Sequence, residues 1–478
     1  MFRFSQINKR LFLKNMKRAV FVFAIFAIFF ACKKESFITS PDARLIITED
    51  TLHFDTVFTT TGSVTQTFKI INPNDQKIKI DQVSLGGGQT SPFKINADGF
   101  TGPDVVDLEI RSNDSLYVFV TVLVDPVTGN LPFVVRDSIN ISYNGNNREV
   151  QLEAFGQNAH FLRNHPVAGN ETWTNDLPYV ILGSLHVTQN AQLTIEKGTR
   201  IFVHADAPLV VDGTLLINGD KDSLDRVYIQ GDRLDEPYRD YPASWPGIYF
   251  RDPSKDNVLN YAVIKNAYQA IAITGPFVNS NPKLKLNQCI IDNAYDAGII
   301  AINSNIEAVN CLISNAGKNV YLVQGGKYNF THCTITSFSN LFIQHNNPVL
   351  YVSNFTNVNN VITNNDLQAS FTNCIFWGDF GLVEDEVVVG KNGNTIFDVS
   401  FNHGIMKFKT EPTNATLNQI LNQDPLFETV NTADHIYNFR LQSNSPAIDK
   451  GINTSINNDL DGLPRPVALP DLGAFEKQ

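Results

Sequence analysis

The sequence lacks the short motifs that mark several common classes of enzyme. It has no GxSxG nucleophile elbow and no HExxH zinc helix. It has no P-loop either, because Lys318, Lys327 and Lys391 follow a glycine but precede no Ser or Thr. None of its 5 cysteines forms a CxxC pair, so the sequence gives no basis for a zinc site. These absences argue against elbow-type serine hydrolases, zinc metalloproteases and P-loop nucleotidases.

The N-terminal hydrophobic run is shorter than a comfortable membrane span. It extends over 13 residues from Ala19 to Ala31 and follows the basic segment Met16-Lys-Arg18. Residues 1–31 carry six basic side chains and no acidic one. This arrangement predicts a signal peptide over residues 1–31, in which Met16 is an alternative start.

The junction Ala31-Cys32 resembles the lipobox of bacterial lipoproteins. The resemblance implies cleavage before Cys32, acylation of that residue and a lipidated tether over residues 32–43. Lys33-Lys34-Glu35 resembles export signals that send some Gram-negative lipoproteins to the cell surface. We therefore expect a membrane partner through the lipid and a location on the outer membrane, exposed at the surface. A periplasm-facing anchor and an ordinary secreted protein are the alternatives.

Positive charge is scarce beyond residue 31. There the chain holds 31 Lys and Arg against 48 Asp and Glu, a net charge of −17. Such a surface repels nucleic acids and anionic polymers wherever no local basic patch intervenes. The sequence therefore predicts no nucleic-acid partner.

The sequence is rich in short apolar segments that repeat. Cys289, Cys311 and Cys333 are 22 residues apart, and Cys374 follows 41 later, about two repeat lengths. An apolar residue stands two positions after each cysteine, and a turn former stands four positions after it. One further repeat, which has Ala262 in place of the cysteine, follows the same pattern. The apolar column is Ile264, Ile291, Ile313, Ile335 and Phe376, and the turn column is Asn266, Asn293, Asn315, Ser337 and Gly378. A period near 22 with β-branched segments predicts a parallel β-helix and not a leucine-rich horseshoe. The cysteines are then free, buried thiols in one inward column, with bridges between coils as the alternative.

This repeat resembles the right-handed parallel β-helices of the pectate-lyase type, and we assign it to residues 165–423. The resemblance implies a fold and says little about chemistry. Residues 424–478, with Asp424-Pro-Leu-Phe427 and Ser445-Pro-Ala-Ile-Asp449, resemble the closing segment of exported β-helix proteins. That likeness implies terminal coils and a cap over the exposed end of the solenoid.

Residues 44–158 have a different pattern, with short alternating strands bounded by Gly, Pro, Asn and Asp clusters. Phe54-Asp-Thr-Val57 and Gln66-Thr-Phe-Lys-Ile-Ile-Asn72 resemble immunoglobulin-like domains of the Hydin/abnormal-spindle type. The predicted fold class is therefore all-β: an immunoglobulin-like β-sandwich followed by a right-handed parallel β-helix with a C-terminal cap.

Catalytic residues cannot be assigned from the sequence. A lyase needs a cation beside a base, and the candidates are Lys265, Asp292, Asp296, Lys318 and Lys327. The Asn-Thr-Asp, Asp-Asp and Gly-His-Gly motifs of β-helix hydrolases are missing, and only the fragment Asn402-His-Gly404 is present. We predict no cofactor. Calcium is the open alternative, since Asn457-x-Asp459-x-Asp461-Gly462 matches half of a calcium loop but Ala468 stands at its twelfth position.

The segment Gly231–Gly247 is a candidate ligand-binding loop. It carries aromatic and guanidinium side chains at Arg233, Tyr238, Arg239, Tyr241 and Trp245. The interpretation that we favour is that Tyr and Trp only pack the loop onto the barrel, and Trp245-Pro-Gly-Ile248 resembles a common entry-coil pattern. From these features we expect a lipid-anchored, non-catalytic binding or scaffold module that presents its β-helix to a glycan or an envelope protein. A surface polysaccharide lyase or glycoside hydrolase and an accessory subunit of an outer-membrane protein complex are the alternatives.

Overall fold

A computed structural model of the chain describes residues 36–58, 63–125, 133–276, 279–466 and 469–478. The predicted signal peptide and Cys32 lie outside the described residues. The chain divides into two compact units, one of residues 36–125 and 133–156, the other of residues 157–478. Strands dominate both, and the described helices are the short 3₁₀ turns Gly88–Thr90 and Tyr238–Asp240. No helix in these described ranges is long and apolar enough to cross a membrane. The all-β prediction is confirmed.

The N-terminal unit consists of two five-stranded antiparallel sheets, ordered β1-β3-β8-β5-β6 and β2-β10-β9-β4-β7. Their strands alternate buried and exposed side chains, because the two inner faces share one core that includes Phe54, Phe68 and Ile80. The sandwich predicted for this region is confirmed. Its strands are β1 (Ile46–Ile47), β2 (Thr51–Phe58), β3 (Gln66–Asn72), β4 (Ile78–Leu85), β5 (Phe93–Ala97), β6 (Phe100–Gly102), β7 (Asp104–Ile110), β8 (Asp114–Val122), β9 (Phe133–Tyr143) and β10 (Asn146–Gln157).

The C-terminal unit is a solenoid of parallel strands followed by one antiparallel hairpin. Its strands are β11 (His160–Val167), β12 (Asn170–Trp173), β13 (Tyr179–Val187), β14 (Gln192–Glu196), β15 (Arg200–Val203), β16 (Leu209–Val211), β17 (Thr214–Asn218), β18 (Val227–Gly231), β19 (Trp245–Phe250), β20 (Asn257–Asn260), β21 (Ala262–Lys265), β22 (Ala267–Thr274), β23 (Leu284–Asn287), β24 (Ile290–Asp292), β25 (Ala297–Val309), β26 (Leu312–Ser314), β27 (Val320–Thr331), β28 (Thr334–Phe338), β29 (Leu350–Ser353), β30 (Phe355–Val358), β31 (Val361–Asn364), β32 (Leu367–Asp379), β33 (Val387–Gly390), β34 (Phe397–Met406), β35 (Thr416–Leu421), β36 (Phe427–Asn431) and β37 (Ile436–Leu441).

The solenoid strands stack in three parallel columns, which we call faces A, B and C. Face A contains β14, β17, β20 and β23, then the second halves of β25 and β27 and the first halves of β32 and β34. Face B contains β18, β21, β24, β26, β28 and the second half of β32. Face C contains β16, β19, β22, the first halves of β25 and β27, then β29 and β33. This architecture confirms the predicted β-helix.

Left-handed residues turn the chain at two corners of several coils. The Asn column of the sequence lies between faces B and C, where Asn266, Asn293 and Asn315 have φ of 63°, 58° and 49°. Asparagine suits this position because it tolerates the left-handed conformation better than most residues do. A second such column precedes the cysteines, between faces A and B, and includes Gln288 (φ 50°) and His332 (φ 52°).

The cysteines form an inward column beside that second corner. All four are free, and each is at most 1% exposed. The Sγ atoms donate hydrogen bonds to carbonyl oxygens, for example from Cys289 to Leu259 at 3.2 Å. Burial raises the pKa of the Cys289, Cys311 and Cys333 thiols well above the ordinary value. These three thiols therefore remain protonated inside the apolar core.

The spacing between Cys333 and Cys374 requires a correction. Their separation of 41 residues suggested two repeat lengths, but β28 pairs directly with β32, so the two cysteines lie on neighbouring coils. The extra length is one enlarged coil, which contains the irregular segment 339–349 and the antiparallel hairpin β30–β31. The number of residues between two repeat positions therefore gives the number of coils only where no insertion interrupts the repeat.

The C-terminal segment, by which we mean the described residues from 424 onward, packs along the outer side of face B. Phe439, Leu472 and Phe475 form an apolar cluster with outward side chains of that face, such as Leu312 and Ile375. The backbone N–H of Ala474 also donates to Thr334 Oγ1 at 2.9 Å. The segment thus shields the flank of the solenoid, whose final coil ends in β35.

Candidate functional site

The loop Gly231–Gly247 connects faces B and C, and its tryptophan belongs to the core. Trp245 is 1% exposed, and its Nε1 donates to the carbonyl oxygen of Lys265 at 2.8 Å. Trp245 therefore packs the loop onto the barrel and presents no surface to a ligand.

The remaining loop residues are largely paired with one another. Arg233 makes a two-pronged ion pair with Asp235, at 2.7 and 2.8 Å, and its guanidinium lies 4.1 Å from the ring centroid of Tyr238. Arg239 pairs with Glu236 at 2.6 Å, and the ring of Tyr241 contacts that of Phe342, with centroids 4.8 Å apart.

The asparagine corner holds this loop in place. Asn266 Nδ2 donates to the carbonyl oxygen of Arg239 at 2.7 Å, and Asn293 Nδ2 donates to that of Asp240 at 2.8 Å. Of the aromatic residues proposed from the sequence, Tyr238 is the most exposed, at 44%. The loop is anchored to the solenoid and offers little free polar chemistry.

The five residues considered for a lyase are divided among three faces. Lys265 and Asp292 end neighbouring strands of face B, with Nζ and Oδ2 3.4 Å apart. Asp296 and Lys318 form an ion pair of 2.8 Å where strands enter face C. Lys327 lies on face A, beside a 550 Å³ hollow that also borders Glu307 and Asp398. The structure therefore does not bring the five residues together.

The outer side of face C carries a group of tyrosines, which we call the tyrosine face. Its central outward column runs in register through Tyr249, Ala272, Ile300, Tyr321 and Tyr351. At about 4.8 Å per coil, this column extends over roughly 19 Å. The rings of Tyr321 and Tyr351 are stacked, with centroids 5.2 Å apart.

Two further tyrosines lie where strands enter face C. The rings of Tyr268 and Tyr295 are stacked with centroids 6.0 Å apart, and the residues are 44% and 53% exposed. The tyrosine face therefore consists of Tyr249, Tyr268, Tyr295, Tyr321 and Tyr351.

Polar groups lie beside these rings. Asp296 accepts hydrogen bonds from Gln269 Nε2 at 2.7 Å and from Lys318 Nζ at 2.8 Å. Burial alone would raise the pKa of Asp296, but these two donors lower it below the ordinary value, so the group is a carboxylate at neutral pH. Burial raises the pKa of Tyr321 to about 12, which keeps its hydroxyl protonated.

The tyrosine face combines the groups that suit a sugar. Aromatic rings supply apolar faces and hydroxyl groups, and they lose little conformational entropy on binding. The carboxylate, amide and ammonium beside them are suitable partners for sugar hydroxyls. Sequence reasoning missed this surface because its tyrosines follow no fixed spacing.

The calcium half-motif has a structural role in the described chain. Asp459 accepts hydrogen bonds from the backbone N–H groups of Asp461, Leu463 and Glu476 at 2.8–2.9 Å. Asp461 binds Arg440, and Ala468 lies outside the described residues. Within the described ranges no group of three or more His, Cys, Asp or Glu is placed to hold a metal ion.

The N-terminal unit contains an 830 Å³ hollow of different character. It is lined by residues from β5, β6 and β8, and Lys94 is the one charged residue among those that line it. This composition provides no constellation for acid–base chemistry.

Comparisons with known proteins do not place the chain in a family. No family model and no curated protein matches it. Solved structures similar to parts of the chain include a family 123 glycoside hydrolase from Clostridium perfringens (11% identity, 24% of this chain and 26% of the hydrolase, TM-score 0.18). Others are the ASH/PapD-like domain of human CEP192 (13% identity, 27% and 92% of the two chains, TM-score 0.17) and the E. coli chaperone DraB (10% identity, 24% and 55%, TM-score 0.17). At these scores the likenesses carry no argument about function.

Proposed function

We propose that this chain is a non-catalytic glycan-binding module of the cell envelope, held at the outer surface by a lipid on Cys32. The observation that supports binding is the tyrosine face. Five rings lie along one outer side of a rigid solenoid, beside the Asp296–Lys318 pair.

Charge favours a neutral glycan as the ligand of this face. Asp296 and Lys318 cancel each other, and the chain beyond residue 31 has a net charge of −17. A polyanion would be repelled by the protein as a whole, whereas a neutral sugar chain would not. Stacking on tyrosine rings then supplies the contact area.

An enzyme is the second candidate, on account of Lys265 and Asp292. These two residues lie together in a cleft on face B, as a lyase requires of its cation and base. The charge of Asp292 raises the pKa of Lys265, so the lysine remains an ammonium ion and cannot accept a proton. Asp292 would then have to act as the base, although it already accepts a hydrogen bond from Ser314 at 2.7 Å.

The deciding experiment offers residues 37–478 to neutral and to uronate-containing polysaccharides. Binding, new unsaturated ends and new reducing ends are followed together, with and without calcium. We expect binding to a neutral polysaccharide without release of product. Product release would instead support the lyase or hydrolase. Failure to bind any polysaccharide would overturn the glycan proposal in favour of a protein partner, such as an outer-membrane complex.

A triple variant locates the binding surface. Tyr268→Ala/Tyr295→Ala/Tyr321→Ala removes three rings of the tyrosine face, and we expect at least about tenfold weaker binding, since loss of a central aromatic contact costs more than about 1 kcal/mol. Tyr117→Ala removes an exposed ring of the N-terminal unit and is the matched control. If Tyr238→Ala weakens binding more than the triple variant does, the site is the loop Gly231–Gly247 instead.

The lipid anchor has a separate test. Cells fed a clickable fatty acid should label the wild-type protein, and Cys32→Ser should abolish the label and release the protein from the membrane fraction. Protease added to intact cells distinguishes the surface from the periplasmic face. A Cys32→Ser protein that still carries lipid would contradict acylation at this residue.

A further inference from the structure

A cleft of 420 Å³ lies between face B and the C-terminal segment that covers it. Its floor is apolar, with Val263 and Leu312 on the side of the solenoid and Phe439 on the side of the hairpin β36–β37. Tyr228 and Tyr437 line it as well. Pockets for small molecules measure about 300–1,000 Å³ and combine apolar walls with a few polar groups, so this cleft has the size of a small-ligand site.

Positive charge is concentrated in this cleft. The charged residues that line it are four cations, Lys221, Arg226, Lys265 and Arg440, and two anions, Asp292 and Asp461, which gives a local charge of +2. The chain as a whole has a net charge of −11. The cleft is therefore a local exception on an acidic protein.

Two of the four cations are matched by the two carboxylates. Arg440 makes a two-pronged pair with Asp461, at 2.8 and 2.9 Å, and Lys265 lies 3.4 Å from Asp292. Lys221 and Arg226 account for the excess charge.

Arg226 is a buried cation without a close counter-ion. It is 6% exposed, and its guanidinium donates to two carbonyl oxygens, that of Leu460 at 2.7 Å and that of Gln288 at 3.5 Å. In the described part of the chain no carboxylate oxygen lies within 4.0 Å of it. These two carbonyl oxygens and the ring of Tyr261, whose centroid lies 5.3 Å from the guanidinium carbon, stabilise the cation but carry no formal negative charge. A buried cation without a counter-ion is costly. A bound anion would compensate it.

We propose that this cleft binds the anionic group of a small ligand, a carboxylate, sulfate or phosphate carried on one or two sugar rings or free in solution. Arg226 and Lys221 supply the uncompensated positive charge, and Tyr228 and Tyr437 contact the body of the ligand. This site is separate from the tyrosine face, and its ligand differs in charge from the neutral glycan proposed there.

The test titrates residues 37–478 with glucuronate, glucose 6-phosphate, inorganic phosphate and glucose at constant ionic strength, using calorimetry. We expect the two anionic sugars to bind and glucose not to bind. Competition by inorganic phosphate shows whether the oxyanion alone is recognised or the sugar ring contributes. Raising the salt concentration should weaken binding, because screening acts on the ion pairs.

The variants separate the cleft from the general charge of the protein. Lys221→Gln, at an exposed residue, and Lys221→Gln/Lys265→Gln should weaken the binding of glucuronate by about tenfold or more, since a charge-assisted hydrogen bond is among the stronger polar contacts. Lys285→Gln removes the same charge from face A, where Lys285 pairs with Glu307, and should leave binding unchanged. These variants avoid Arg226, whose buried side chain also supports the fold.

Three results would overturn the proposal: glucose binding as tightly as glucuronate, Lys285→Gln weakening binding as much as Lys221→Gln, or no anion binding up to about 10 mM. The triple tyrosine variant should retain anion binding, so failure of the glycan proposal and failure of this one are distinguishable.

Discussion

Faces B and C are built from the same coils, but the outer side of face B is covered and the outer side of face C is partly exposed to solvent. The outward column of face B reads Ile290, Leu312, Thr334, Ile375 and Ile405, and the C-terminal segment covers it. The outward column of face C is rich in tyrosine, and its rings remain partly exposed. The outward side chains of a covered face contribute to stability, and those of an open face remain available for contact with a ligand.

A matched pair of isoleucines tests most directly whether face B is covered and face C is open. Ile375, in the outward column of face B, is 0% exposed, whereas Ile300, in that of face C, is partly exposed. Ile375→Ala should lower the free energy of unfolding by about 2–5 kcal/mol, because it leaves a cavity beneath the cover. Ile300→Ala should lower it by less than about 1 kcal/mol. Urea unfolding of both variants decides the matter, and equal losses would show that face C is also covered.

The second prediction concerns pH and the segment that covers face B. Burial raises the pKa of Glu476 to about 7, although Arg465 lies 2.7 Å away. Between pH about 4.5 and 7 the folded protein then retains a proton that the unfolded chain has lost. This group therefore makes stability fall as pH rises through that window, by about 3 kcal/mol at most, and Glu476→Gln should remove the contribution.

The measurement is the difference in unfolding free energy between wild type and Glu476→Gln at pH 5 and pH 8. Taking the difference matters because burial lowers the pKa of His332 to about 3, and that group loses stability as pH falls below about 6.5. The histidine contribution is common to both proteins and cancels. A difference that does not change with pH would show that Arg465 keeps Glu476 ionised throughout.

The smallest expected effect sharpens the description of face C. Tyr295 is 53% exposed, so Tyr295→Ala should change the free energy of unfolding by no more than about 0.5 kcal/mol. The same variant should weaken glycan binding measurably. A larger loss of stability would mean that the tyrosines pack the solenoid instead of serving a ligand.

The fold was predictable because β-helix coils repeat one local pattern. The cysteines at one corner kept a constant spacing of 22 residues over three coils, and Asn293 and Asn315 at the next corner each follow a cysteine by four residues. The cover on face B also left a signal, since Cys289-Ile-Ile and Cys311-Leu-Ile place apolar residues on both sides of a strand. That signal indicates a face buried on both sides, but it does not say what covers it.

The tyrosine face was hidden from the sequence by loops of unequal length. Its members at 249, 268, 295, 321 and 351 are separated by 19, 27, 26 and 30 residues, since loops and insertions differ from coil to coil. The cleft on face B was hidden for another reason. Lys221 and Arg440 lie more than 200 residues apart in the chain and meet only because the C-terminal segment folds back along the solenoid.

The cysteine column has a consequence for how the protein is made. Neighbouring coils are about 4.8 Å apart, which is within the range of Cα separations that a disulfide can bridge. In the folded protein the four thiols are buried, and oxidants do not reach them. In the oxidising envelope that we propose for this chain, the unfolded thiols have no such protection and can close into two bridges in three ways. The solenoid must therefore fold before its thiols are oxidised. The yield of refolding should then depend on a reductant being present from the start.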